Sequence, residues 1–303
     1  MIMAQANAKR HISSLFHPVD LTQGTCWRTI LVFSLPIILS YLLQQVYSIS
    51  DAAIVGQTLT AQEVAGVNDT TSLVFIFLQF AFGVSAGFCV ITSCSVGCHD
   101  REGVRRSLVT QIVLSAALTV LLTALALVLL NPMLAWLNIT PDNPEVYHAA
   151  YTYCAVIFAG IGAQLFYNFI CSFLRSMGDS ATPLAFLLFS TILNVGLDLL
   201  FILSFHWGVA GAAIATVIAR YIEAIYLIIH THRREKTFIF AQGLYKSLYL
   251  PGAVVKKILL TGTPLMLNEL FWSIGTTMIS QSYSTRGLTV VAATNIAGTV
   301  WNL

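Results

Sequence analysis

Charged residues are scarce in this chain of 303 residues: they make up 9% of the sequence, whereas hydrophobic residues make up 57%. A typical soluble domain has about 25% charged and roughly 45–50% apolar residues. So few charges cannot cover the surface of a soluble domain of this length, and we infer that lipid solvates the fold. The net charge of +2 also excludes the concentrated basic surface that nucleic-acid binding requires, so we expect no nucleic-acid partner.

Motifs of common enzyme and cofactor sites are missing as well. The sequence contains no Gly-rich phosphate loop, no Ser/His/Asp order and no H-E-x-x-H motif. The six cysteines lie in or beside apolar runs and predict neither a disulfide framework nor a compartment. We therefore expect a protein that is not an enzyme and that has no organic cofactor.

Long runs without charge are abundant, and each is near or above the ~20 residues that cross ~30 Å of hydrocarbon. They predict an all-α membrane protein with short turns marked by Pro, Gly or charge. Helices are expected at 30–55, 67–95, 108–136, 146–171, 183–204, 208–230 and 258–280, with an eighth starting near 288.

Basic residues favour one side of the predicted membrane. Of the 15 Lys and Arg residues, Arg286 alone falls on the opposite side, and Arg220 lies within a span. Because Lys and Arg accumulate in cytoplasmic loops, we expect the N-terminus and the basic segment 232–257 to face the cytoplasm.

A faint internal repeat relates the first and seventh predicted helices. Leu-Ser-Tyr-Leu shortly after Pro36 matches Leu-Asn-Glu-Leu shortly after Pro264, although so short a match also arises by chance between apolar helices. Six intervening spans give both copies one orientation, as in transporters built from two parallel halves. The repeat predicts a six-helix first lobe plus the start of a second lobe, truncated within that lobe. The expected divisions are a cytoplasmic tail at 1–28, the first lobe at 29–231, a basic cytoplasmic linker at 232–257 and the start of the second lobe at 258–303.

Ionisable side chains within the predicted spans each need a reason, because one near the bilayer centre costs at least ~2.5–3.5 kcal/mol. Asp51 lies in the outer third of the first helix. Asp198 lies about 22 Å along the fifth helix, counted from Pro183 at 1.5 Å per residue, so the two acids have similar depths.

Three uncharged polar residues reach the same depth. Asn194 shares a face with Asp198, and Tyr153 and Thr216 lie at comparable depths in the fourth and sixth helices. Such oxygen-rich layers suit a small cation or a shared proton. The alternative is that Asp51 is interfacial and that Asp198 only bonds to its neighbours.

The other buried charges have simpler interpretations. Arg220 and Glu223 have the spacing of an intrahelical ion pair, for which we favour a structural role. Glu269, about 16 Å along the seventh helix, is either a second protonatable site that faces the cavity or a group whose partner lies in the rest of the second lobe.

Several ordered motifs resemble the multidrug and toxic compound extrusion (MATE) family over nearly the whole chain. They are Leu35-Pro36 with Asp51 and Val55-Gly56 in the first helix, Leu174-Arg175-Ser176-Met177-Gly178-Asp179 before Pro183, Asn194 with Leu197-Asp198, and Trp207-Gly208-Val209-Ala210-Gly211-Ala212-Ala213 followed by Ala215-Thr216.

The resemblance implies twelve helices in two lobes, alternating access, and export of amphipathic, often cationic compounds driven by Na⁺ or H⁺ entry. The family's first-lobe cation site maps to Asp51, Tyr153, Asn194, Asp198 and Thr216. If Na⁺ is the coupling ion, Asp51, Asn194 and Asp198 are its expected ligands. Other branches carry a Glu eight residues after the Pro of the seventh helix, where this chain has Trp272; Glu269 comes at five, so a second-lobe site at Glu269 departs from the family pattern.

We therefore expect a cation-coupled antiporter that exports drugs and toxic compounds across the cell (cytoplasmic) membrane. The alternative is a lipid-linked oligosaccharide flippase of the same superfamily, which needs basic residues in its cavity, where Arg220 is the only candidate. The expected partners are amphipathic small molecules and the lipid bilayer. We expect a multi-pass monomer.

Overall fold

The computed structural model describes residues 21, 24–137, 139–233 and 251–284, and within these ranges the regular elements are all helical. The α-helices are numbered here in chain order, and a short π-helix, Leu199–Ser204, continues the sixth. They are α1 Cys26–Thr58, α2 Ala61–Gly97, α3 Arg101–Trp136, α4 Pro144–Ala159, α5 Ile161–Ser176, α6 Ala181–Asp198, α7 Gly208–Arg233 and α8 Gly252–Ser284.

Two helices begin several residues before the predicted apolar runs because polar side chains cap them. At the start of α2, the Thr60 N–H donates to Glu63 Oε2 (2.9 Å) and the Glu63 N–H donates to Thr60 Oγ1 (3.3 Å). At the start of α3, the Gly103 N–H donates to Asp100 Oδ1 (2.9 Å). The predicted starts at 67 and 108 are therefore too late, since an apolar run marks the part of a helix in lipid and not its capped first turns.

The fourth span is bent, so the prediction of one continuous helix over 146–171 is wrong. It consists of α4 and α5, which meet at Gly160 with an angle of 45°. A Cβ atom at Gly160 would collide with the side chain of Val217 on α7. The missing side chain therefore lets the bend approach α7 closely.

The fifth predicted helix, 183–204, also changes character partway along. α6 ends at Asp198, and the next six residues form the π-helix. The rings of Phe201, within this segment, and Phe205, directly after it, pack around Trp207 with centroid distances of 5.0 and 5.4 Å. The wider π turn thus lies directly after one of the predicted site residues.

The bundle is organised around α2, which contacts α3, α4, α5 and α8. Fully buried side chains of four helices meet in this core, namely Phe88, Leu130, Phe158 and Leu165. α7 packs against α4, α5 and α6, whereas α1 packs mainly against α6. Along the whole of α1, Pro36, Ser40 and Val55 are the buried residues, so α1 is a loosely held helix at the rim.

Helix α8 runs antiparallel to α2. The Thr277 hydroxyl lies 3.4 Å from the Ser72 carbonyl oxygen, the rings of Phe75 and Trp272 are 5.6 Å apart, and the backbones of Gly87 and Gly262 touch. The packing therefore extends over several turns of both helices.

Length and composition make this bundle a membrane protein. Five of the described helices, with α6 counted through Ser204, are long and apolar enough to cross a bilayer, and the bent α4–α5 pair brings the number to six. Large apolar side chains face outward, as at Val120 (71% exposed) and Val128 (76%). The predicted all-α membrane fold is confirmed. α8 is not among these six spans, and the helix predicted to start near 288 lies outside the described residues.

Candidate functional site

The predicted acids Asp51 and Asp198 come together between α1 and α6. Their carboxyl groups are neighbours, close enough for one proton to join them. Asp198 is fully buried, and Asp51 is partly buried. Two carboxyl groups from separate helices, which their depths predicted to lie at one level, are thus neighbours in the structure.

Asn194 adds an amide one turn before Asp198. It is fully buried, and neither its Oδ1 nor its Nδ2 has a hydrogen-bond partner among the described residues. The same is true of Asp51 Oδ1 and of both Asp198 oxygens. Buried polar atoms are almost always hydrogen-bonded, so this concentration of unpaired oxygens needs a physical explanation.

The two predicted hydroxyl groups complete the set. Thr216 Oγ1 of α7 lies 3.5 Å from the hydroxyl oxygen of Tyr47 on α1. Tyr153 of α4 interacts electrostatically with Asp51, Asp198 and Tyr47. We call the residues from these four helices the polar layer: Tyr47, Asp51, Tyr153, Asn194, Asp198 and Thr216.

Tyr47 is the member of the polar layer that the sequence analysis missed. Its hydroxyl contacts Thr216, and it also interacts with Asp51 and Asp198. One signal was available, because Tyr47 precedes Asp51 by four residues and so shares its face of the helix.

The chemistry of the polar layer suits a small, hard cation or a proton. Carboxylate, amide and hydroxyl oxygens are the ligands that such cations prefer, and the unpaired oxygens of Asp51, Asn194 and Asp198 are the expected Na⁺ ligands. In the described part of the chain, no group of three or more His, Cys, Asp or Glu side chains could hold a metal ion. The predicted Na⁺ ligands are two carboxyl groups and one amide, so they do not form a group of that composition.

Next to the polar layer, Arg220 and Glu223 form the predicted ion pair. Arg220 Nη1 lies 3.0 Å from Glu223 Oε2, and both side chains are buried. The guanidinium also lies over two aromatic rings, at 5.2 Å from the Tyr47 centroid and 4.9 Å from the Tyr167 centroid. The guanidinium of the ion pair therefore packs between a ring of α1 and a ring of α5.

Glu269 has a partner within the described chain, which the sequence analysis did not identify. The Gln79 side-chain amide on α2 donates a hydrogen bond of 2.7 Å to Glu269 Oε2 on α8. Glu269 thus joins α8 to α2, and its role as a second-lobe site stays a prediction.

Comparison with known proteins identifies the family of the chain. The MatE family model matches residues 36–200, which is more than half of the chain. The probable multidrug resistance protein YpnP of Bacillus subtilis is 33% identical over 207 residues, which cover 68% of this chain and 46% of that protein. A second protein of this organism, the probable multidrug resistance protein YoeA, is 25% identical over 92% of this chain and 60% of its own length. The chain thus spans about half the length of the curated relatives it matches.

Solved structures share the fold. An outward-facing MATE family transporter of the MOP superfamily aligns with a TM-score of 0.81 and 23% identity, over 93% of this chain and 61% of that one. A MOP superfamily transporter from Pyrococcus furiosus aligns with a TM-score of 0.80, the same identity and the same coverage of both chains. The family model and the shared fold agree with the motifs in the sequence, and the chain belongs to the MatE family of membrane transporters.

Proposed function

We propose that this protein is a cation-coupled antiporter that exports amphipathic, often cationic drugs and toxic compounds in exchange for Na⁺ or H⁺. One observation carries the proposal: two carboxyl groups on different helices, Asp51 and Asp198, face each other inside the membrane with buried oxygens that have no hydrogen-bond donor in the described structure.

The polar layer needs positive charge. Two neighbouring carboxylates repel each other, and burial strengthens the repulsion because the interior has a low dielectric constant. Arg220, the buried cation among the described residues, is already neutralised by Glu223. A Na⁺ ion held by Asp51, Asn194 and Asp198, or a proton held between the two acids, would compensate the remaining charge.

Such a site can couple ion entry to the motion of α1. Asp51 belongs to a helix with three buried residues, whereas Asp198 and Asn194 belong to the packed interior. A cation that both acids bind would favour the arrangement in which α1 lies against α6. Release of the cation would favour an arrangement in which α1 moves away from α6. The ion would thereby shift the affinity of the protein for its substrate.

The flippase alternative receives no support from the basic residue on which it depends. Recognition of a lipid diphosphate needs an accessible cation, and Arg220 is 6% exposed and bound to Glu223. The related proteins whose names mention multidrug resistance favour export of drugs instead.

The setting of this activity is also part of the proposal. We place the protein in the cell membrane as a monomer, with its N-terminus and the segment 232–257 in the cytoplasm. Its substrates would be small amphipathic molecules that enter from the cytoplasm or the inner leaflet.

The experiment measures export of a fluorescent organic cation from proteoliposomes that contain the protein expressed from its complete reading frame. An imposed Na⁺ or pH gradient drives export. Asp51→Asn and Asp198→Asn should each reduce gradient-driven export at least about 10-fold, because proton or cation coupling needs a titratable or anionic group. Membrane insertion should stay near normal, since each change removes a charge from lipid.

Asp69→Asn is the matched control, because Asp69 is an exposed carboxyl group on α2. It should transport like the wild type. Wild-type export by both Asp51→Asn and Asp198→Asn would refute the proposed coupling site.

A further inference from the structure

Arg220 has more contacts than a structural ion pair requires. Its guanidinium lies between the ring of Tyr47, at 5.2 Å, and the ring of Tyr167, at 4.9 Å, while Nη1 binds Glu223 at 3.0 Å. The Glu223 contact lies within α7, but the two rings come from α1 and α5. Arg220 therefore connects three helices.

Tyr47 links this stack to the polar layer. Its hydroxyl lies 3.5 Å from Thr216 Oγ1, one turn before Arg220 on α7. On α1, Tyr47 lies one turn before Asp51, on the same face. Tyr47 thus holds one face of α1 against α7 through its ring and its hydroxyl. The same face carries Asp51, which faces Asp198.

The loose packing of α1 makes this contact important. Few residues of α1 are buried, and none of them lies between Ser40 and Val55, the stretch that contains Tyr47 and Asp51. A cation–π contact is stronger when it is desolvated, as it is for the buried Arg220. The stack thus adds a contact with α5 and α7 to this part of α1, beside its packing on α6.

Stability alone does not account for the ion pair. Apolar residues of similar volume often replace a buried ion pair without loss of stability. An ion pair can hold a planar cation against an aromatic ring on a neighbouring helix, and an apolar pair cannot form this cation–π contact.

We propose that Arg220 is a positioning residue for ion coupling: Glu223 fixes its guanidinium, which holds Tyr47 and thereby sets the distance between Asp51 and Asp198. This inference rests on the proposed function. It predicts that loss of the stack weakens ion binding, because Asp51 is then less well placed.

The test titrates the coupling ion with the protein expressed from its complete reading frame in proteoliposomes. Initial export of a fluorescent organic cation is measured against Na⁺ at fixed pH and, separately, against pH without Na⁺. The readout is the half-saturating ion concentration, which a change in protein yield does not move.

Arg220→Lys keeps the charge and the ion pair but loses the planar stack. Tyr47→Leu leaves the ion pair intact and removes the ring. Each should raise the half-saturating ion concentration about 3-fold to 10-fold, as expected when one buried cation–π contact is lost or weakened. The double variant should show no more than the larger single shift, because both changes remove the same contact.

Two further variants sharpen the test. Tyr47→Phe keeps the ring over Arg220 and should raise the half-saturating ion concentration less than Tyr47→Leu does. Tyr221→Leu alters an exposed tyrosine next to Arg220 on α7 and should match the wild type.

The outcomes separate the two proposals. If Asp198→Asn abolishes ion dependence but Arg220→Lys and Tyr47→Leu keep the wild-type half-saturation, Arg220 is structural and the positioning role is refuted. If Asp198→Asn itself retains wild-type ion dependence, the proposed function fails, and the positioning role fails with it.

Discussion

Asn194 is the clearest single-residue test of the polar layer, because it carries no charge. Both polar atoms of its side chain are buried and lack a partner in the described structure. A buried amide without hydrogen bonds lowers the free energy of unfolding by about 1–3 kcal/mol, and an apolar side chain of similar shape avoids this cost. Asn194→Leu should therefore fold as well as the wild type or better, and yet it should bind the coupling ion poorly.

Thermal unfolding in detergent, with and without Na⁺ and at several pH values, measures both effects. The variant should unfold at the same or a higher temperature, and ion-dependent stabilisation should fall. Asn168→Leu is the matched control, a buried amide on α5 outside the polar layer, and it should keep the ion response. A large loss of yield in Asn194→Leu would contradict this account.

The sequence could predict some residues of the site and not others, for a physical reason. A carboxyl group in lipid is costly, so Asp51 and Asp198 stand out in the sequence. Their similar depths along two helices predict that they lie close together. A tyrosine in a membrane helix is inexpensive, so Tyr47 gives no such signal. The Gln79–Glu269 hydrogen bond joins residues far apart in the chain, and only the packing of α8 on α2 brings them together.

At the level of elements, the close approach of α2 and α8 depends on glycine. A Cβ atom on Gly262 would lie 3.1 Å from the Gly87 carbonyl carbon and 3.2 Å from the Gly87 carbonyl oxygen. These are backbone atoms, so the helices would have to separate. Gly262→Val should therefore destabilise the α2–α8 pair by about 1–3 kcal/mol, as overpacking does.

The control lies on the same helix. A Cβ atom on Gly275 would meet no packed neighbour within 4 Å, so Gly275→Val introduces the same residue into α8 without a clash. Thermal unfolding should show a fall of several degrees for Gly262→Val and little change for Gly275→Val. Equal melting temperatures would show that the two helices do not need this close contact.

The elements themselves are predictable where hydropathy changes and not where it is uniform. Apolar runs locate the six spans, but the bend at Gly160 and the π-helix at Leu199–Ser204 lie inside continuous apolar sequence. A glycine in such a run is compatible with a straight helix, and no composition marks a π turn. Both features lie against α7, a contact that the sequence alone does not show.

For the whole molecule, the arrangement combines a packed interior with a loosely packed rim. α2 and its neighbours form the core, whereas α1, which carries Tyr47 and Asp51, is mostly exposed. The polar layer thus lies where the mostly exposed α1 meets the buried interior of the described bundle. Such a position would suit the ion-driven change between two states proposed above.

The orientation of this whole bundle is the last prediction. Nearly all Lys and Arg residues outside the spans fall on one side, so the N-terminus and the segment 232–257 should face the cytoplasm. In a cysteine-free background, Gln242→Cys should resist a membrane-impermeant maleimide added to intact cells. Asp142→Cys, in the turn between α3 and α4 on the opposite side, should react. Labelling of Gln242→Cys from outside, with Asp142→Cys protected, would reverse the orientation and with it the direction of transport proposed here.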